Sequence, residues 1–218
     1  MFDTVQYDNK YVQQDANFTV DGNLTIGPYN NRVVFFILTA NNQSITVSNL
    51  TFAGQPFTTA VERYTNNHTH IIGYQINPPV GTHAIYGVFS NAIPHIATAI
   101  SFYNVKNLDT LSTTRSVGVT SGGYTGAITV PDFGLFIDSI STEQNLFPGQ
   151  LEPQAGQTVI DRFVSTGGSC AQGYRIFTND AGSYTSSWNN STSFTTTYVE
   201  AAFNPAIKQG GSFLYNII

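Results

Sequence analysis

The chain has 218 residues, of which 10% are charged and 41% hydrophobic, with a formal net charge of −5. That length accommodates one large β domain with a substantial core, and the apolar fraction excludes a disordered chain. The eight Lys and Arg are scattered singly, so a basic footprint for nucleic acid is excluded, as is membrane insertion by a run of about 20 apolar residues.

Average soluble proteins carry roughly 25% charged residues. Here Asn, Thr, Ser, Gln, Gly and Tyr take the place of charge. Such a surface hydrogen-bonds well but repels its own copies weakly, which suits packing into an assembly or lying against glycans. The 16 Phe and 12 Tyr are expected mainly on strands and in the core.

Residues 1–15 lack the cationic start and apolar run of a signal peptide. They are expected to form an N-terminal arm in which Phe2, Tyr7 and Tyr11 are candidate subunit contacts. From there the apolar residues fall in alternations or short runs bounded by Gly, Pro and Asn, which is strand punctuation. Strands are predicted over Asn17–Ile26, Arg32–Ala40, Ile45–Phe52 and Thr58–Thr65. The second of these is almost continuously apolar and is expected to be a central strand buried on both faces. His70–Ile76 and His83–Phe89 flank Pro78-Pro79-Val80-Gly81 and are predicted to pair as an antiparallel hairpin.

Further strands are predicted over His95–Tyr103, Ser112–Thr120, Gly126–Val130 and Leu135–Ser141, followed by a loop over Thr142–Gln157. Gln157–Thr166, Ala171–Phe177 and Thr195–Phe203 complete the set, with a turn-rich segment around Trp188 between the last two. The tail, 206–218, ends in an apolar strip from Phe213 to Ile218 that is either a last core strand or a docking arm. The expected fold is all-β, an antiparallel β-sandwich of jelly-roll-like or Greek-key form spanning 16–205. No internal repeat of fixed period is seen, which excludes solenoids and propellers.

Signals for chemistry are sparse. His68 and His70 are two apart and so share a strand face, a spacing that suits a metal, but only His83 or Glu62 offers a third ligand. They are read as polar residues beside a loop, and neither a metal nor another cofactor is expected. Glu62, Asp132, Asp138, Glu143, Glu152 and Asp161 show no pairing for acid–base work. Cys170, the single cysteine, lies in GGSCAQG without an activating neighbour and is read as a small structural residue. The seven Asn-x-Ser/Thr sites are expected from composition alone in so Asn- and Thr-rich a chain. Enzymatic activity is not expected.

Asn31-Arg32-Val33-Val34-Phe35-Phe36 is followed by Val47-Ser48-Asn49-Leu50-Thr51-Phe52-Ala53-Gly54-Gln55-Pro56-Phe57-Thr58. Next come Asn77-Pro78-Pro79-Val80-Gly81-Thr82, the strand Ala97–Tyr103, and Tyr198-Val199-Glu200-Ala201-Ala202-Phe203. This order resembles a widespread β-sandwich domain of phage structural proteins and bacterial surface proteins. The match covers about residues 16–205, and the Asn-Pro-Pro-x-Gly-Thr turn is its most specific element. The resemblance implies a non-catalytic module displayed outside the cytoplasm or on a particle, and it carries over no catalytic residues.

The expected function is therefore that of a non-enzymatic structural subunit of an extracellular assembly, foremost a virion protein such as a capsid decoration or tail-associated component. Its partners would be copies of itself and other virion or surface proteins. Phe213, Leu214, Tyr215, Ile217 and Ile218 join Phe2, Tyr7 and Tyr11 as contact candidates. The main alternative is a glycan-binding or adhesion module, with Tyr29, Tyr64, Tyr124, Tyr184 and Trp188 as a stacking platform. A subunit of a cellular surface filament is a further alternative.

Overall fold

The computed structural model describes residues 4–41, 44–106, 111–121, 124–145, 150–165, 167–178, 182–190 and 195–207. They form an all-β, antiparallel sandwich. The first half contains β1 (Gln6–Asp15), β2 (Thr19–Ile26), β3 (Val33–Asn41), β4 (Val47–Phe52), β5 (Gln55–Pro56), β6 (Thr58–Tyr64), β7 (His68–Ile76), β8 (Gly81–Phe89) and β9 (His95–Tyr103). The second contains β10 (Leu111–Ser121), β11 (Tyr124–Val130), β12 (Leu135–Thr142), β13 (Leu151–Pro153), β14 (Thr158–Ser165), β15 (Gly168–Ile176), β16 (Gly182–Asn190) and β17 (Thr195–Phe203). The segment 6–15, expected as an arm, is β1, an edge strand paired with β9.

The two halves repeat one topology. The first pairs a sheet ordered β1-β9-β3-β7-β6 with one ordered β2-β8-β4-β5. The second pairs β10-β17-β12-β15-β14 with β11-β16-β13, the same order with its last counterpart lacking among the described residues. Each half is thus a jelly roll. Register makes the correspondence explicit: Val33 lies between Phe102 and Ile76, as Leu135 lies between Phe203 and Ile176.

The predicted hairpin over Ile71–Phe89 is not formed. β7 pairs with β3 and β6 in the five-stranded sheet, whereas β8 pairs with β2 and β4 in the other. The connection Asn77–Val80 crosses between sheets. Pro78 and Pro79 lack the N–H groups a tight hairpin ladder uses, and Asn77 and Gly81 take positive φ values of 50° and 108° to turn the chain at each end.

Every residue of β3 is buried, as its apolar run predicts. Val34, Phe36, Leu38 and Ala40 point into the first jelly roll and pack with Phe52, Ile85 and Phe89. Val33, Phe35 and Ile37 point the other way and pack against Leu135, Ile137, Val199, Ala201 and Phe203 of the second. The five-stranded sheets of the two halves therefore share one core, face to face. Edges join as well: Lys10 on β1 donates to the Ile160 carbonyl on β14 at 2.7 Å.

Candidate functional site

The shared face changes character along its length. At the Val33 end it is apolar; toward Asn41 the strand alternation brings polar side chains into it. On β7, His68, His70 and Ile72 share this face. The His70 ring lies between Ser139 and Ser141 of β12, with Nδ1 and Nε2 each 2.7 Å from a hydroxyl. A neutral imidazole donates from one nitrogen and accepts at the other, so both are satisfied. Burial, with His68 beside it, holds its pKa well below the ordinary value. His68 Nδ1 lies 2.7 Å from the Thr197 hydroxyl. Burial lowers its pKa, against the opposing pull of Glu143.

Gln172 completes the seam from the other side, donating to the Ile37 and Ile96 carbonyls at 3.1 Å and to Thr39 at 2.9 Å. Cys170, two residues away on β15, shares that face by alternation and is buried. Burial pushes its thiol far above the ordinary range, the state of an inert cysteine. Among the described residues, no group of three or more His, Cys, Asp or Glu is placed to hold a metal ion.

The seam opens at this polar end into a cleft of about 430 Å³. The end of β6 supplies Arg63 and Tyr64, the turn into β7 supplies Thr65, Asn66 and Asn67, and the second half supplies Glu143 and Thr195. Asn67 donates to Glu143 at 2.8 Å across the junction, and the Glu143 backbone N–H donates to the Thr195 carbonyl at 3.3 Å. Of these, only Tyr64 and Glu143 stood out in the sequence, and nothing there joined them.

A second polar cluster lies inside the second jelly roll. Asp138 accepts hydrogen bonds from Trp188 Nε1 and the Tyr198 hydroxyl, both at 2.7 Å, and from Gln157 at 2.6 Å. Burial raises its pKa to about 6 although these donors pull the other way. Glu200 accepts from Ser186 at 2.5 Å, with Arg115 3.8 Å away.

This cluster corrects the stacking platform. Trp188 is 0% exposed, because β16 is a strand and its alternation turns the indole inward onto Asp138. Tyr184 is buried too, edge-on to Phe136 and Phe177 beneath the Arg175 guanidinium. Tyr124 pairs its backbone with Trp188. Tyr29 is exposed and stacks on Tyr103, with centroids 4.1 Å apart. Tyr64 is 40% exposed beside the cleft. Tyr29 sits near the start of β3, while Tyr64 reaches its end through the pairs Tyr64–Thr69 and Thr69–Ala40. The two are thus separated by most of a nine-residue strand, roughly 25 Å.

Of the contact candidates, Tyr7 packs on Phe102 and Tyr174 within its own chain. Tyr11 donates to Gln13 at 3.0 Å and to the Asp21 carbonyl at 3.1 Å. Its ring fills the space a Cβ on Gly22 would need. Phe2, Phe213, Leu214, Tyr215, Ile217 and Ile218 lie outside the described residues. Searches against protein-family models, curated proteins and solved structures found no match to this chain.

Proposed function

We propose that the protein is a non-enzymatic structural subunit of an extracellular assembly, a virion component of the capsid-decoration or tail-associated kind, acting through subunit–subunit contacts. The observation that carries this reading is the shared core of the two jelly rolls, which joins them across both their apolar and hydrogen-bonded seam. A close-packed body of this kind transmits load without bending between its halves. Its outer faces suit the role: Thr25 and Thr82 join hydroxyl to hydroxyl at 2.8 Å on the outside of the β2-β8 pair, beside exposed Ala84 and Tyr86. A surface so low in charge lets identical copies approach.

The tail beyond residue 206 and the N-terminus are the proposed contact segments. Deleting residues 207–218 is expected to abolish assembly while leaving the β fold intact, as read by light scattering and circular dichroism. A deleted protein that still assembles would refute this role for the tail. Electron microscopy of native material, showing a lattice or fibre rather than dispersed particles, tests the reading as a whole.

A second reading, glycan binding, is supported by one observation: exposed Tyr64 borders a polar cleft built from both jelly rolls.

A further inference from the structure

We propose that the seam between the two jelly rolls is an acid-operated clasp: protonation of His68 and His70 parts the rolls at their polar end while each roll stays folded.

Placement makes this end the one that can open. The chain passes between the rolls once, from β9 to β10, and leaves the first roll at Val105, whose N–H donates to the Asn31 carbonyl at 3.1 Å. Val105 is buried in the apolar part of the shared core with Val33, at the start of β3. His68 and His70 lie at the other end of β3, opposite Asn41 and Thr39. The polar end is thus held across the seam by hydrogen bonds and packing alone. Each roll also has a core of its own, including Val20, Leu24 and Phe52 in the first and Ile140, Trp188 and Tyr198 in the second.

Nothing facing the two rings matches a second proton. The hydroxyls of Ser139, Ser141 and Thr197 can turn to accept from a charged ring, but they carry no charge to offset it. Thr39 and Asn41 on β3 are neutral, and so is Cys170 on β15, whose thiol burial keeps protonated. Arg63, the register neighbour of His70 on β6, is itself a cation, while Glu62 lies on the opposite face of that strand. Asp138 and Glu200, the acids of β12 and β17, point into the second roll, where they meet Trp188 and Ser186. Among the described residues the acid at this end is Glu143, exposed at the mouth and bonded to Asn67. The two rings have centroids 6.5 Å apart, so their cations also repel each other.

Elsewhere acid is matched. His95, also buried, has the Asp15 carboxylate 3.2 Å from Nε2 and the Ile93 carbonyl 2.8 Å from Nδ1, so its cation is paired in place. Asp138 holds its proton more tightly in the folded state, so acid favours the second roll. Acid therefore weakens the seam selectively. In the parted state both rings are hydrated and titrate near the ordinary 6.5, whereas burial lowers them in the closed one. The closed state is favoured in full above pH 6.5 and loses ground below it, by at most about tenfold per pH unit for each proton.

The test follows Cys170, buried on the same seam face, with a pyridyl disulfide that reacts with thiols in mild acid as well as at neutral pH. Rates in the full chain are taken relative to the denatured chain at each pH. Trp188 emission and circular dichroism report whether the rolls stay folded. Between about pH 7 and pH 5 the relative rate is expected to rise about tenfold or more, with both signals native, and to return on neutralisation. Combining His68→Gln with His70→Gln is expected to abolish the rise. If that double variant is unfolded at neutral pH, His68→Gln alone decides, and is expected to lower the steepness of the rise from that of two protons toward that of one.

A relative rate that does not change with pH overturns the proposal. So does a rise accompanied by red-shifted Trp188 emission or lost circular dichroism, which is acid unfolding of a roll rather than parting of the two. A rise that persists unchanged in the histidine variants assigns the opening to another group and overturns it as well.

Discussion

Asp138 on β12 and Glu200 on β17 are register partners, two carboxyl groups side by side in a core where both are 0% exposed. The equivalent register pair in the first jelly roll is Phe36 and Ala99. One topology thus holds an apolar pair in one half and an acidic pair in the other. The acids persist because each is hydrogen-bonded: Asp138 takes Trp188, Tyr198 and Gln157, while Glu200 takes Ser186. Breaking such a network exposes the full cost of a buried, unpaired group.

The raised pKa of Asp138 sets a pH dependence of stability. Its folded value of about 6 exceeds the ordinary 3.8, so the folded state holds the proton more tightly than the unfolded chain. The stabilisation is complete below the unfolded value and is lost as pH rises through the folded one. The difference corresponds to on the order of 3 kcal/mol. Denaturant unfolding of the wild type and Asp138→Asn at several pH values checks this. The stability of the wild type relative to the variant is expected to fall between about pH 4 and pH 7.

His70 acts in the opposite sense. Burial and the neighbouring His68 lower its pKa, so the folded state favours the neutral ring that fits between Ser139 and Ser141. Its contribution is present above the unfolded value of 6.5 and is lost as pH falls below it. The slope from this one proton is at most about 1.4 kcal/mol per pH unit. In His70→Gln the fall in stability on acidification below pH 6.5 is expected to shrink, as read by the same titration. An unchanged slope would show that His70 is not buried between the halves.

The strands themselves were largely legible, because β3 carries apolar residues on both faces and the other strands are marked off by Gly, Pro and Asn. Their pairing was less so. The runs around Pro78-Pro79 suit a hairpin or a crossing between sheets equally, since both need two apolar strands and a turn. The duplication is written in register, as in Val33 and Leu135 or Gly73-Tyr74 and Gly173-Tyr174, but Phe36 against Asp138 hides it from composition. Trp188 is hidden in the sequence because its neighbours Ser186, Ser187 and Asn189 are polar, and a strand whose inward face includes a serine, Ser186 between Tyr184 and Trp188, resembles a loop. The cleft was illegible: Arg63, Glu143 and Thr195 meet only when the halves pack.

Trp188 is a core residue, and its substitution tests that directly. Trp188→Phe removes the indole N–H that Asp138 accepts and is expected to cost about 1–3 kcal/mol. Trp188→Ala leaves a cavity as well, with an expected cost of about 3–5 kcal/mol. Because it is the single Trp, native emission should be blue-shifted and should move to the red in the same transition that circular dichroism follows. A red-shifted native spectrum, or a Trp188→Ala variant of undiminished stability, would place the indole at the surface.

Cys170 reports on whether the two jelly rolls separate. It occupies on β15 the place that His70 holds on β7, since its partner Ser141 is the counterpart of Thr39, the partner of His70. It is buried on the face where Gln172 reaches Ile37 and Ile96 of the other half. A thiol raised by burial offers little thiolate, and a reagent reaches it only if the halves part or the second roll unfolds. Labelling at neutral pH is therefore expected to be negligible in buffer and complete, at one thiol per chain, in denaturant. The native labelling rate should follow the frequency of opening, so Gln172→Ala, which frees three acceptors in the first half, is expected to accelerate it. Fast labelling of the wild type without denaturant would mean that the seam opens readily, against the single rigid body from which the structural role is argued.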